Sequence, residues 1–410
     1  MKKKGWRFEG NEIKYIEQVL DSDFKNPGSK SMTQKFERLF AKTFGVSYAI
    51  SSTSGTAALH QALIACDIRP GDEVIVPSLA VVMCANAVVF CGAKPVFADI
   101  DRETFLIDPA DIERKITPRT KAIMAVHMCG HMCDMEKITT IARKCNLRVI
   151  EDCAQCNLAV DHRGYIAGTL GDVGTFSLGE VKMISSGEGG VLITNNIEIA
   201  ERVRKFGYLG FKYVSPTSVA AVGSAMRLQD PVYTRHDSTG YNYIMSEITA
   251  AVALAQTERI NWFLEKRRAM GRMYTDAIDK CNWLRPQHTQ DGYNPSYWTF
   301  AAIFEGQNKV GISWYEFRDK FIEFGGDKIR AALALVYKDP SVFNLDRTGC
   351  YFPDRYRKDR QVEPFLPDDP ACPNSEYIQP RLMYFTTNQE TKKEMVKQAE
   401  ALRKTVRHFG

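Results

Sequence analysis

Between Glu73 and Cys153 short apolar runs alternate with amphipathic ones so regularly that few architectures can accommodate them. EVIVP, KPVFADI, TKAIMAVHM and LRVIEDC read as strands, and AVVMCANAVVF, DPADIERKI and MEKITTIARKC between them carry helical spacing. Brief strands separated by helices need crossover connections, which specify a mostly parallel sheet covered by helices. Ligands of such sheets bind at the carboxyl ends of the strands. LRVIED delivers Glu151 and Asp152 to that edge, with Gln155 just beyond. Taken alone, Asp152 could equally cap a following helix.

Two further stretches point at the same edge. Residues 48–66 read as a brief strand, the turn Ser51 to Thr56, and the helix ALHQALIAC. Helix-terminal N–H groups and a closely approaching Gly55 suit a phosphate, with Ser54 and Thr56 able to add hydroxyls. A plain helix cap is the alternative. In GTFSLGEVKMISSGEGG, residues 174–190, Lys182 is isolated between the β-prone run ending in Ser177 and a glycine-rich turn. Lysine attacks carbonyl compounds only when desolvation or a neighbouring cation lowers its pKa, which a tight turn inside a cleft would arrange. The chain holds 54 Lys and Arg, so an ordinary surface lysine is the competing reading.

The rest of the chain frames this centre. Helices are predicted over 11–20, 31–44 and 196–207, followed by a poorly periodic segment over 208–240. GYNYIMSEITAAVALAQTERI, residues 240–260, begins with a turn and becomes an alanine-rich helix whose small face suits close packing against another helix or a neighbouring subunit, continuing as a long helix over 256–279. WTFAAIF and RLMYFTT then read as strands, with SWYEFRDKFIEF and ETKKEMVKQAEALRKTVRHF as helices, a small α+β unit. The stretch 338–374 reads as an irregular excursion near a cleft. We therefore expect a large domain over 1–255 and a smaller one over 256–410, since single cores stop growing near ~250–300 residues.

Composition excludes several classes. With Lys and Arg at 54 against 49 Asp and Glu, interspersed, nothing suggests a nucleic-acid surface. MKKKGWRFEG has no apolar core of a signal peptide, and no run of ~18 apolar residues suggests a membrane span. Eleven cysteines, mostly in apolar segments, suit reduced core thiols and a cytoplasmic location. The run HMCGHMC offers His127, Cys129, His131 and Cys133. On a strand these would spread over roughly 20 Å, too far for one tetrahedral ion, so no metal is expected.

SGTAAL (54–59), GDEVIVPS (71–78), AKPVFADID (93–101), EDCAQ (151–155), FSLGEVKMISSGEGG (176–190) and GYNYIMSEITAA (240–251) together resemble the DegT/DnrJ/EryC1/StrS family. These are pyridoxal-phosphate sugar aminotransferases of fold type I. The resemblance runs in order over residues 10–280, and more loosely near Ala371-Cys372-Pro373. It implies an α/β fold with a large, mostly parallel cofactor domain and a smaller C-terminal one.

It also implies roles. Lys182 is similar to the family's Schiff-base lysine, and the dehydratase branch has histidine there, so lysine favours amino transfer. Asp152 is implied to face the pyridine nitrogen and Gln155 the ring's phenolic oxygen. Gly55, Thr56 and Ser177 would hold the phosphate, and Asn242 would reach the phosphate of a neighbouring subunit, which implies a homodimer with shared sites. Two positions depart from the pattern: Val81 stands where an aromatic residue commonly stacks on the cofactor, and Ile244 stands where arginine is usual. The expected reaction is ping-pong amino transfer from glutamate or glutamine, through pyridoxamine phosphate, to a keto-sugar or keto-polyol. A sugar dehydratase or isomerase on the same scaffold and a non-catalytic relative are the alternatives.

Overall fold

The computed structural model describes residues 5–24, 31–217, 229–331, 333–343 and 372–410. Two lead-in helices, α1 (Glu12–Asp21) and α2 (Met32–Phe44), start it. Ser31 caps α2 through the Gln34 N–H, and Gly45 ends it at φ +67°, where a side chain would be strained. The Glu247 carboxylate accepts the Met32 N–H at 2.7 Å and the Thr33 N–H at 3.2 Å. An anion at a helix N-terminus is favourable, so this contact also ties α2 to the later alanine-rich helix.

The alternating region folds as its pattern dictates. Strands β1 (Tyr48–Ser52), β2 (Glu73–Pro77), β4 (Lys94–Ala98), β5 (Thr120–Val126), β6 (Arg148–Asp152), β7 (Val173–Ser177) and β8 (Gly190–Thr194) form one sheet in the order β1-β8-β7-β6-β5-β2-β4. Between them, α3 (Gly55–Ala65), α4 (Met83–Phe90), α5 (Pro109–Lys115) and α6 (Met135–Cys145) make the crossovers, and α7 (Ile197–Gly207) follows β8. The β2 strand is buried at every position, as a strand covered on both faces must be. Only β8 runs against its neighbours, because no helix separates it from β7. The chain turns back through residues 178–189, so the loop holding Lys182 hangs at the carboxyl edge where β6 also ends.

Beyond α8 (Glu247–Glu258) and α9 (Ile260–Ile278) lies a three-stranded antiparallel sheet, β12 (Leu382–Thr386), β10 (Thr299–Phe304) and β9 (Leu284–Pro286). Helices Trp314–Glu323 and Lys392–Phe409 pack there around a second apolar core that includes Tyr274, Phe300, Phe317, Phe321 and Phe385. The two-residue strands β3 (Leu79–Ala80) and β11 (Ala334–Leu335) pair with each other on the first core, against which Leu335 packs. Asp99 adds a clip: its carboxylate accepts the Asn374 and Ser375 N–H groups, each at 2.9 Å.

Three expectations need correction. The long helix predicted over 256–279 breaks at Arg259, whose guanidinium turns to reach the Arg7 carbonyl at 3.0 Å and lies 4.6 Å from the Trp262 ring centre. The helix predicted from Ala80 starts at Met83, because Leu79 and Ala80 are drawn into pairing with β11. The strand predicted through Met128 stops at Val126 and enters a tight turn with Cys129 at φ 60°. Of the irregular segments, 208–217 and 229–240 show turns and isolated bridges, whereas 218–228 and 344–371, Ala371 included, lie outside the described residues.

Candidate active site

Asp152 ends β6 with its side chain buried, and one backbone group, the Ala154 N–H, donates to its Oδ1 at 2.9 Å. It caps no helix. Burial pushes its carboxyl above the ordinary range, opposed by that N–H and by the positive charge of Lys182. Behind it, Glu151 points to the opposite face and accepts the N–H groups of Gly168, Leu170 and Gly171 at 2.8, 2.7 and 2.6 Å. His127 Nδ1 accepts the Cys133 N–H, so its Nε2 carries the proton and donates to Glu151 at 2.9 Å. Gln155 is fixed at its other end: Oε1 accepts the Cys129 N–H at 2.8 Å, which leaves the NH2 as the donor available to a ligand.

Lys182 lies in the loop between β7 and β8, with its N–H held by the Gly179 carbonyl at 3.0 Å. Its ammonium sits 5.0 Å from the centre of the Trp298 ring. Burial lowers the pKa of the amine, and the carboxylates of Asp152 and Glu188 partly restore it. Beside it opens a cleft of about 770 Å³, lined among others by Gln155, Val81, Trp298 and Tyr384. Val81 is 39% exposed and offers an aliphatic side at the position noted as departing from the aromatic residue common in the resembled family.

The turn at 54–56 meets the same edge from the other side. Ser54 Oγ accepts the Ala57 N–H at 3.1 Å and so caps α3, which leaves the Gly55 and Thr56 N–H groups without intrahelical acceptors. A Cβ on Gly55 would lie 2.7 Å from the Cβ of Ser177, so the first turn of α3 and the end of β7 touch. Asn242 is placed elsewhere: exposed, its backbone bridged to Tyr208, it is not part of this chain's cleft.

The HMCGHMC run does not gather into one ligand set. His127 groups instead with Glu151 and Cys153, their ligand atoms within 4.8 Å of one another. Both imidazole nitrogens there are already engaged by Glu151 and Cys133, so the group braces Asp152 from behind.

Several cleft residues carried no signal in the sequence reading. Arg7 donates to the carbonyls of Glu180, Lys182 and Met183, and Arg267, Trp298 and Tyr384 arrive from the C-terminal part. A single tryptophan or arginine in a helix or strand has no local pattern that announces a cleft. Only the packing of the two cores brings them together.

The sequence profile of the DegT/DnrJ/EryC1/StrS aminotransferase family matches residues 7–340. The chain belongs to this family. The DegT/DnrJ/EryC1/StrS chain is 41% identical over 314 residues to the GDP-perosamine synthase of Escherichia coli O157:H7, spanning 77% of this chain and 80% of that one. It is 36% identical over 289 residues to the L-glutamine:2-deoxy-scyllo-inosose aminotransferase of Streptoalloteichus tenebrarius, spanning 70% and 65%. The X-ray structure of the aminotransferase from Psychrobacter cryohalolentis superposes with a TM-score of 0.82 at 27% identity, over 97% of each chain. The fold is that of the type I pyridoxal-phosphate enzymes, and this protein is a pyridoxal-phosphate-dependent sugar aminotransferase. Its residues fit that cofactor: a buried amine, a buried carboxylate with a single N–H partner, a fixed carboxamide, and a helix N-terminus that only glycine lets approach Ser177. No helix among the described residues is long and apolar enough to cross a membrane.

Proposed function

We propose that this enzyme moves an amino group from glutamate or glutamine to the carbonyl of a nucleotide-linked keto-hexose. The observation that carries the reading is the Lys182 amine, its pKa lowered by burial, within the electrostatic reach of Asp152. Bound pyridoxal phosphate supplies the carbonyl that captures amines and the ring that holds the electron pair left when a C–H proton departs. Lys182 Nζ accepts that proton and returns it, which a permanently charged ammonium could not do. Asp152 holds a negative charge within electrostatic reach of Lys182, kept in place by Ala154 and by the Glu151–His127 brace behind it. Gln155 would donate to the cofactor through its free NH2, the Gly55 and Thr56 N–H groups and the Ser177 hydroxyl would hold its phosphate, and Trp298 and Val81 would flank it.

Asn242, exposed and remote from its own cleft, supports a homodimer in which it completes the partner's phosphate site. We read residues 1–255 as the cofactor domain and 256–410 as the part that closes the cleft. The ten described cysteines are free thiols, which supports a cytoplasmic enzyme. The similarity to an inosose aminotransferase favours a keto-cyclitol as the second acceptor reading. An absorbance titration of the pyridoxamine-loaded protein against UDP-, GDP- and dTDP-linked keto-sugars and a keto-inositol separates the two. Return of the lysine-linked band with a nucleotide-linked ketone alone supports the first, and return with the keto-inositol alone removes it. A deoxy product with no amino transfer would remove both.

A further inference from the structure

Lys182 sits on a loop, and a loop places a side chain less exactly than a strand or a helix does. In this chain the loop's backbone is held from outside. Four successive carbonyls, those of Glu180, Val181, Lys182 and Met183, all accept side-chain donors. Arg7 makes three of these bonds: Nη1 donates to Glu180 at 3.0 Å, and Nη2 to Lys182 and to Met183, the last at 3.2 Å. Trp298 Nε1 donates to the Val181 carbonyl at 3.1 Å. Among the described residues no backbone N–H bonds any of the four.

The holder is itself held. Arg7 belongs to a single helical turn, Trp6–Phe8, far from the loop in sequence. Its own carbonyl accepts Gln256 Nε2 at 2.7 Å and Arg259 Nη1 at 3.0 Å. Gln256, wholly buried in α8, also accepts the Ser185 N–H through Oε1 at 3.4 Å, so it joins that turn to the far side of the lysine loop. The Trp6 ring stands edge-on to Trp262 at 5.8 Å, and the Lys266 ammonium lies 4.5 Å from both ring centres. The turn is thus fastened to α8 and α9 by backbone and aromatic contacts, and the Arg7 guanidinium is given over to the lysine loop.

The chemistry of that guanidinium argues for more than fastening. It is half-buried, burial lowers its pKa, and no nearby carboxylate raises it again. A cation buried without a counter-ion weakens a fold, so a tie needed only for stability is better made by neutral groups. What a guanidinium adds is one rigid, planar fork that reaches several carbonyls at once. Rigidity matters at this place, because misplacing a reacting group by about 1 Å can cost about 100-fold in rate. The Lys182 ammonium stands 5.0 Å from the Trp298 ring centre, and Trp298 is tied to the same loop at Val181. We propose that Arg7 is a positioning residue for Lys182, clamping the lysine's own backbone so that its amine keeps its place beside Trp298. The proposal rests on the amino-transfer reading above.

The test follows the first half-reaction of Arg7→Ala with glutamate by single-turnover absorbance. The maximal rate should fall by about 100-fold. The glutamate concentration that gives half of it should stay within about threefold of wild type. Arg7→Lys, which keeps the charge but not the fork, should fall between the two enzymes. An unchanged maximal rate overturns the proposal, and so does a raised half-saturating concentration with the rate kept, which would make Arg7 a contact for the donor. Should Arg7→Ala not fold, Arg7→Lys decides by the same two readings. A second readout needs no donor and no cofactor: amide hydrogen exchange over residues 178–189 should quicken by about tenfold in Arg7→Ala, with β2 and β6 unchanged. Equal exchange over that loop overturns the proposal. A wild-type enzyme that takes no amino group from any amino acid sinks the amino-transfer reading instead, and the exchange of the loop still reports on Arg7.

Discussion

The first residue of α3, Gly55, lies so close to the end of β7 that a Cβ added to it would stand 2.7 Å from the Cβ of Ser177. The Gly55 backbone is not in the left-handed region, so the requirement for glycine is purely one of space. Gly55→Ala should fold with a modestly lowered Tm, because either α3 or β7 must shift. Affinity for pyridoxal phosphate should fall by about tenfold or more, since the displaced N–H groups and hydroxyl no longer converge. Equilibrium dialysis of the variant checks this, and an unchanged Kd removes Gly55 and Ser177 from the phosphate site.

Replacement of Lys182 by alanine should leave the fold intact, because the side chain forms no ion pair among the described residues and its loop is held by backbone contacts. Pyridoxamine phosphate should still bind. Amino transfer should fall by several orders of magnitude, as is usual when a nucleophile that also carries protons is deleted. Single-turnover absorbance measurements with glutamate would show it. Turnover within tenfold of wild type would take the catalytic role away from Lys182.

Asp152→Asn should separate stability from activity. Burial raises the carboxyl's pKa in the folded protein without cofactor, so at neutral pH its ionisation costs the folded state stability. An amide escapes that cost. The cofactor-free variant should have a Tm equal to or above that of wild type, while the half-reaction with glutamate should slow by about 100-fold or more for want of the fixed negative charge. Differential scanning calorimetry and stopped-flow absorbance give the two readings, and a variant both less stable and equally active contradicts the assignment.

Acid should unfold the protein partly through His131. Burial holds its folded pKa at about 3, far below the ordinary 6.5, so between these values the unfolded chain binds the proton and the folded one does not. Stability from this group is complete above pH ~6.5 and is lost as pH falls towards ~3, about 2 kcal/mol of it by pH ~5. His131→Asn should show a shallower fall of Tm between pH 7 and pH 5. Equal slopes would show that His131 takes up its proton in the folded protein as readily as in the unfolded chain, and so is not shielded by burial.

The sheet was legible because its signal is local. EVIVP and LRVIED are apolar over their own length, and the carboxyl edge of a parallel sheet locates Asp152 without any tertiary knowledge. Lys182 was marked by its place between a strand and a glycine turn, but the local pattern left an ordinary surface lysine open, and its role came from the resemblance of six separated motifs taken together. Arg7, Arg267 and Trp298 were not. Arg7 meets the Lys182 carbonyl across 175 positions of sequence, and Arg267 meets Thr387 across 120, so only the completed packing of both cores reveals them. The break at Arg259 escaped for the same reason: its cause is the Arg7 carbonyl and the Trp262 ring, neither of which alters the helical period of the segment.

A cleft walled by Arg7 near one end of the chain and by Asn388 near the other also sets a schedule for synthesis. The β7–β8 loop and its lysine can emerge and fold early, as N-terminal portions do when chains are made at ~5–20 residues per second. An amine that faces water keeps its proton most of the time, and burial in the completed fold lowers that hold on Lys182. The reactivity of this lysine is thus tied to packing between segments nearly four hundred positions apart, from Arg7 to Asn388.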